Sequence, residues 1–529
     1  MRLYIVIIIL LGNGFFSGIM AQRNWHHKDP KTDKLQGIST DRTYSELLKG
    51  RASKTVIVAI IDSGIDTTHK DLKGKFWINE DEIPNNGIDD DKNGYTDDIY
   101  GWSYIGNPKG ENINHENLEV TRVFKELNKK YRNIDSTKVN AQEKKEYEFY
   151  KIVKKDFYSQ YKKAKDEYDG FTRFSENYIA ANDIIKEKLN KEEYTISDLD
   201  SLENDPDVVT RNSVKYMKSL LSHGFNKNSY DAYKDQVENE YMYQLNLDYN
   251  PRTIIGDDPA NYNDSIYGSN DVMGPSCGHG TFVAGIVAAN RIDDDEASGI
   301  ADNVKIMVLR VVPDGDERDK DVANAIKYAV DNGAQVINMS FGKPYSPQKW
   351  MVDKALAYAN SKKVLLIHAA GNESENNDVI WHYPINLSDS THSITDYWIE
   401  VGASSTKADK YLAANFSNYG QKNVDIFAPG TRIFSLQPGN KFSASDGTSA
   451  ASPVVCGEAA LLMSYFPNLS PAEIKDIILK SAIPVKKKVY LPDPEREKSD
   501  KISFTKLSRY GAVINTYTAV KMALEKEKK

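Results

Sequence analysis

The chain is poor in several things, and each shortage excludes something. It has only two cysteines, Cys277 and Cys456, in 529 residues. At most one disulfide can form, so no disulfide framework carries the fold. Basic residues are not in excess: 68 Lys and Arg against 76 Asp and Glu leave a formal charge of −8 and a pI near 5.7. That balance argues against a nucleic-acid partner, because phosphate binding needs a basic surface. Beyond the first residues no apolar run is long enough to span a membrane. Internal repeats are missing too, and no extra C-terminal module is evident. What is present in quantity is core material, at 40% hydrophobic residues. The two cysteines are expected as buried free thiols, which behave as small hydrophobes. A single disulfide or a redox role is the alternative.

The first residues read as a secretory signal. Arg2 precedes an apolar run from Leu3 to Leu11, then Phe15-Phe16, and Gly18-Ile19-Met20-Ala21 stands before Gln22. Residues 1–21 are therefore expected to be removed, placing residues 22–529 in the periplasm or outside the cell. A membrane anchor is the competing reading. No cysteine lies near Ala21, which argues against a lipoprotein.

Thr55–Ile61 is almost continuously apolar, as suits a strand covered on both faces. After His279 strand and helix patterns alternate. Strands are expected at Val304–Val311, Gln335–Ser340, Lys363–Ala369, Trp398–Gly402 and Val424–Ala428. Helices are expected at Asp319–Asp331 and Pro347–Asn360, and again after Ser449. Ser470 reads as an N-cap, with Pro471 at the first helical position. This alternation predicts an α/β fold: a parallel sheet with helices on both faces and functional residues at strand C-termini. Residues from about 111 to 263 differ, being rich in Lys, Glu, Asp and Tyr. Aromatics there recur at three- and four-residue intervals, which predicts amphipathic helices forming an insertion.

Three short stretches carry chemistry: Asp62-Ser63-Gly64, Gly278-His279-Gly280-Thr281 and Gly447-Thr448-Ser449-Ala450-Ala451-Ser452-Pro453. A serine hydroxyl is a weak nucleophile and needs a base in reach, itself oriented by a third group. Ser449, His279 and Asp62 supply those roles. Acid, imidazole and hydroxyl in this order form one of the three chain orders known for such triads. The glycines allow close approach, and a helix starting beside Ser449 would aim backbone N–H groups at developing negative charge.

Together these motifs resemble those of subtilisin-like serine peptidases, the subtilases, over roughly 55–106 and 274–523. The resemblance implies a three-layer fold and a peptidase activity that needs no catalytic cofactor. It implies that Asn372, in Ala369-Ala370-Gly371-Asn372, donates to the oxyanion. It also implies that Ser340, Phe341 and Gly342 pair with an extended substrate and wall the first specificity pocket. Ala369, Ala370 and Gly371 would form the opposite wall, and small residues there favour a large apolar side chain before the cleaved bond. The departure lies in spacing, since 217 residues separate Asp62 from His279. In addition, only about 30 residues stand between the expected cleavage site and β-rich Val56, too few for the family's usual pro-domain. The insertion is therefore expected to shield the cleft, assist folding or dock substrate.

Asp89-Asp90-Asp91-Lys92-Asn93-Gly94-Tyr95-Thr96-Asp97 reads as a cation loop. Asp89, Asp91 and Asn93 offer oxygens at positions 1, 3 and 5, Tyr95 a carbonyl at 7 and Asp97 an acid at 9. Tyr100 replaces the glutamate at position 12, so the loop is not an EF-hand. Structural calcium is the expected occupant. A second acidic group, Asp257, Asp258, Asp264 and Asp271, lacks diagnostic spacing. The leading function is a secreted, monomeric endopeptidase acting on proteins or peptides. A ligase or macrocyclase using the same triad is the alternative, followed by a non-catalytic, calcium-stabilised binding protein.

Overall fold

Strand β1 (Val56–Asp62) sends its two faces into two different cores. Val56, Val58 and Ile60 pack in one cluster and Ala59 and Ile61 in the other, as a period-two strand covered on both sides must. The computed structural model describes residues 23–135, 139–291, 296–389, 391–495 and 500–528. The expected signal segment, 1–21, lies outside the described residues.

Further strands are β2 (Gly101–Ser103), β3 (Val304–Arg310), β4 (Val336–Met339), β5 (Leu365–Ala369), β6 (Trp398–Ser404), β7 (Ile426–Pro429), β8 (Ile433–Gln437), β9 (Lys441–Ser445), β10 (Ile483–Pro484), β11 (Lys488–Tyr490), β12 (Lys501–Ser503) and β13 (Ala512–Val513). Nine of them form one sheet in the order β10-β13-β7-β6-β5-β4-β1-β3-β2. Within it only the β10–β13 pair is antiparallel. β8–β9 and β11–β12 are separate antiparallel pairs.

Helices Gly278–Ala288, Thr448–Tyr465, Pro471–Ser481 and Thr516–Glu527 contribute to the core on one face. Helices Asp319–Asp331 and Lys349–Ser361 contribute to the core on the other. The three-layer α/β expectation is therefore met. The Asp319–Asp331 helix has the expected bounds, whereas the next helix begins at Lys349 rather than Pro347. Strand ends move by one or two residues, because terminal residues already bend into loops. Ser470 caps its helix in a reciprocal box with Glu473. Cys277 and Cys456 are buried free thiols, and burial pushes both thiol pKa values up.

Residues Val120–Tyr249 form a second compact unit, and its bounds fall inside the expected 111–263. Its main element is the 46-residue helix Lys144–Leu189. Phe171, Tyr178, Ala181 and Ile185 on that helix pack with Val214, Met217, Tyr230 and Val237 of the helices that follow. The Tyr178 and Tyr230 rings stack at 4.5 Å, and Phe124 stacks on Phe157 at 4.4 Å. The tyrosines of this region thus act largely as packing surface, each ring adding apolar area and a preferred stacking geometry.

Candidate active site

Strand β1 delivers Asp62 at its C-terminal end, buried at 1% exposure. His279 is the second residue of the Gly278–Ala288 helix, and its Nδ1 lies 2.7 Å from Asp62 Oδ1. The Ser63 amide donates to the same oxygen at 2.7 Å. The two segments meet through Gly280: a Cβ there would stand 2.1 Å from the Gly64 carbonyl, so no larger residue fits. The His279 side chain keeps 44% of its surface exposed, enough for a reacting group to reach it. Surrounding protein pulls its pKa down, but the charge and hydrogen bond of Asp62 outweigh that and hold it above the usual imidazole value.

Ser449 is the second residue of the Thr448–Tyr465 helix. That helix is apolar on all sides and is buried accordingly. Pro453 sits inside it and has no N–H to give the Ser449 carbonyl. The Ser340 hydroxyl takes that place, donating to the Ser449 carbonyl at 3.1 Å. Asn338 Nδ2 donates to the Ser340 hydroxyl in turn. The Ser449 backbone is thereby tied to the strand end that the sequence assigns to substrate.

Asn372 has a defined orientation. Its Oδ1 accepts from the Thr448 amide at 2.8 Å and the Thr448 hydroxyl at 3.0 Å. With the carbonyl oxygen engaged, the amide nitrogen is the end left to donate, next to the residue preceding Ser449. Gly371, at φ +107°, makes the turn that places it, and a Cβ there would meet Asn418 Nδ2 at 2.3 Å. Thr448 was not singled out in the sequence, yet it sets this geometry. It also accepts from the Gly371 amide at 3.1 Å.

The two expected pocket walls continue neighbouring parallel strands. Ser340, Phe341 and Gly342 follow β4, while Ala369 ends β5 and leads into Ala370 and Gly371. Lys343 pairs with Tyr383 just beyond the first wall, its amide and carbonyl bonding at 3.0 and 2.8 Å. Beside Tyr383, the imidazole of His382 meets Glu375 at 2.8 Å and Glu373 at 3.5 Å.

The acidic loop arranges its side chains differently from the sequence reading. Asp89 accepts from the Asn93 and Gly94 amides, and Asp97 from the Asn86 and Gly87 amides. Asn93 Oδ1 accepts from the Tyr95 amide, and the Tyr95 hydroxyl donates to the Ser265 carbonyl. Asn93 Nδ2 donates to Asp91 and Asp98, and among the described residues Asp91 joins a convergent carboxylate group whose other members are Glu82 and Asp98. Their oxygens lie within 4.8 Å of one another. Burial, then the nearby Asp91 charge, pushes the Asp98 pKa up against its hydrogen bonds. Glu82 was missed because it precedes the motif, and Asp98 because it lies one residue past it. In the second acidic group, Asp257 pairs with Lys320 and Arg252, and Asp271 accepts from Asn112 and the Gly274 amide. Those carboxylates are already engaged within the protein.

Comparison with known proteins places the chain in a family. The Peptidase_S8 profile, the subtilase family, matches residues 53–512. The chain is 35% identical over 210 residues to subtilisin DY of Bacillus licheniformis, covering 39% of this chain and 70% of that protein. It is 36% identical over 206 residues to the cell wall-associated protease of Bacillus subtilis (strain 168), covering 39% of this chain and 21% of the relative. It is 37% identical over 247 residues to the thermophilic serine proteinase of Bacillus sp. (strain AK1), covering 46% and 52%. The chain thus spans about a fifth and a half of the length of these last two relatives. Among solved structures, the prenylagaramide maturation protease PagA is similar at 29% identity and TM-score 0.37, covering 46% of this chain and 82% of that one. With a family profile running from before Asp62 to beyond Ser449, the chain belongs to the subtilase family of subtilisin-like serine peptidases, which are hydrolases.

Proposed function

We propose that this chain is a secreted serine endopeptidase that hydrolyses peptide bonds through an acyl-enzyme. The observation that carries this reading is the 2.7 Å bond between Asp62 and His279 across 217 residues of sequence. Asp62 fixes the ring so that Nδ1 donates to it and Nε2 is left to serve as base. Ser449 Oγ attacks the scissile carbonyl carbon while its proton passes to His279 Nε2. The oxyanion that forms is received by Asn372 Nδ2 and by backbone N–H groups at the start of the Ser449 helix. His279 then returns the proton to the leaving amine as the C–N bond breaks, and water repeats the sequence in reverse to release the acid. Substrate lies extended along Ser340–Gly342, bonded main chain to main chain, with its side chain between the two walls.

Secretion is part of the same proposal and rests on residues 1–21. Among the described residues no helix is long and apolar enough to cross a membrane. A structural calcium ion is proposed at Glu82, Asp91 and Asp98, whose crowded carboxylates a divalent cation would relieve. Calcium would brace the loop after β1 and take no part in the chemistry. The chain is proposed to act as a monomer.

The test is covalent labelling of purified protein by a fluorophosphonate, followed by mass analysis of products from a peptide library. Labelling lost in Ser449→Ala, together with hydrolysed products, supports the proposal. Folded wild-type protein that does not label refutes it, and joined rather than hydrolysed products would replace hydrolysis by ligation. Exported protein beginning at Gln22 is expected from N-terminal sequencing.

A further inference from the structure

His368 is a wholly buried imidazole one residue before the Ala369 wall, and the triad chemistry does not use it. Its Nδ1 lies 3.0 Å from each carboxylate oxygen of Glu400 on β6. Its Nε2 lies 2.9 Å from the carbonyl oxygen of Phe341, in the opposite wall. Both neighbours are acceptors. A proton lies between Nδ1 and Glu400 whichever side holds it, and Nε2–H donates to Phe341 in either case. The Trp398 indole donates to Glu400 at 2.9 Å, and its ring packs 5.1 Å from that of His368. The Glu400 amide in turn donates to Asp425 at 3.0 Å. An ionisable pair buried between strands is costly where apolar side chains would fill the same space.

We infer that His368, held by Glu400, is a positioning residue that fixes the substrate-pairing edge through the Phe341 carbonyl. In extended chain the peptide groups of successive residues point to opposite edges. The Phe341 carbonyl is held by His368, and the Lys343 amide and carbonyl are held by Tyr383. Both anchors therefore act on one edge. The intervening Gly342 peptide faces the other edge, and among the described residues it makes no main-chain hydrogen bond. Its N–H and C=O are thus free for an incoming peptide, and the His368 and Tyr383 anchors set their direction. His368 acts on substrates long enough to reach Gly342 and has no part in bond breaking. This inference rests on the proposed peptidase reading.

The test compares His368→Leu, His368→Asn (polar but too short to reach Phe341) and His368→Gln, which keeps a longer donor. Each is assayed with a tetrapeptide amide, with the ester of a single acylated amino acid, and for its rate of labelling by a small fluorophosphonate. For Leu and Asn, kcat/KM on the tetrapeptide is expected to fall roughly tenfold, the scale of one hydrogen bond, with the loss in KM. Ester turnover and labelling should stay within about twofold of wild type, and Gln should recover part of the loss. Should Leu fail to fold, Asn carries the comparison. An equal loss on ester and tetrapeptide, or no loss on either, overturns the positioning role. Wild-type protein that fails to label overturns the peptidase reading instead, so the two failures are distinct.

Discussion

Glu458 lies on the helix that carries Ser449, fully buried, and offers a large effect of pH on stability. Its Oε2 accepts from the Thr516 hydroxyl at 2.9 Å, while Oε1 has no hydrogen-bond partner among the described residues. Burial pushes its pKa from 4.5 up to about 8. Because the folded pKa is raised, the folded state holds the proton that the unfolded chain releases above 4.5. Stability from this group is complete below that value and is lost as pH rises through 8. At 1.36 kcal/mol per unit, the loss is about 3 kcal/mol at pH 7 and about 5 kcal/mol by pH 9. Glu458→Gln removes the titration but leaves an amide NH2 in the space of Oε1, at a cost of about 1–3 kcal/mol. The stability curves of the two proteins should therefore cross. The variant is expected to be the weaker near pH 5 and the stronger by about 2–4 kcal/mol at pH 9. Urea unfolding from pH 5 to 9, both proteins carrying Ser449→Ala to prevent autolysis, measures this directly. Other titrating groups are common to both and cancel in the difference. Parallel curves would refute the reasoning, since they would mean that Glu458 ionises in the fold as easily as in the unfolded chain.

The remaining predictions concern the site. Asn372→Ala should lower kcat by ~10²–10³ with little change in KM, a magnitude established for such donors in this family; a loss confined to KM would show that Asn372 binds substrate instead. Because Asp62 holds the His279 pKa above 6.5, the acid limb of kcat/KM should lie above that value, activity falling as pH drops through it. Asp62→Asn should move the limb down while kcat falls by ~10⁴, and a limb that stays in place would show that another group titrates. Chelation should lower the melting temperature of the wild type, by the equivalent of ~3 kcal/mol if calcium was present at 100 times its Kd. Glu82→Gln combined with Asp98→Asn should abolish that response; an undiminished response in the double variant would place the ion elsewhere.

The reach of the sequence ended where contacts became non-local. Apolar runs and helix caps marked β1 and the alternating elements after His279, because strand and helix periodicities are local properties of the chain. The three motifs pointed to Asp62, His279 and Ser449 for the same reason, since each is a short stretch of small residues around one polar group. Nothing local announces that the Thr448 hydroxyl and amide turn Asn372, or that Pro453 frees the Ser449 carbonyl for Ser340. Likewise, spacing pointed to Asp89 and Asp97, whose carboxylates folding sets against nearby backbone amides, while it gathers Glu82 and Asp98 around Asp91 and Asn93. His368 and Glu400 look like ordinary members of apolar strands until β5 and β6 pair and place them side by side. The sequence by itself determined the kind of scaffold and pointed to the groups proposed to react. Tertiary structure alone decided how those groups are aimed, because orientation comes from hydrogen bonds between residues far apart in the chain.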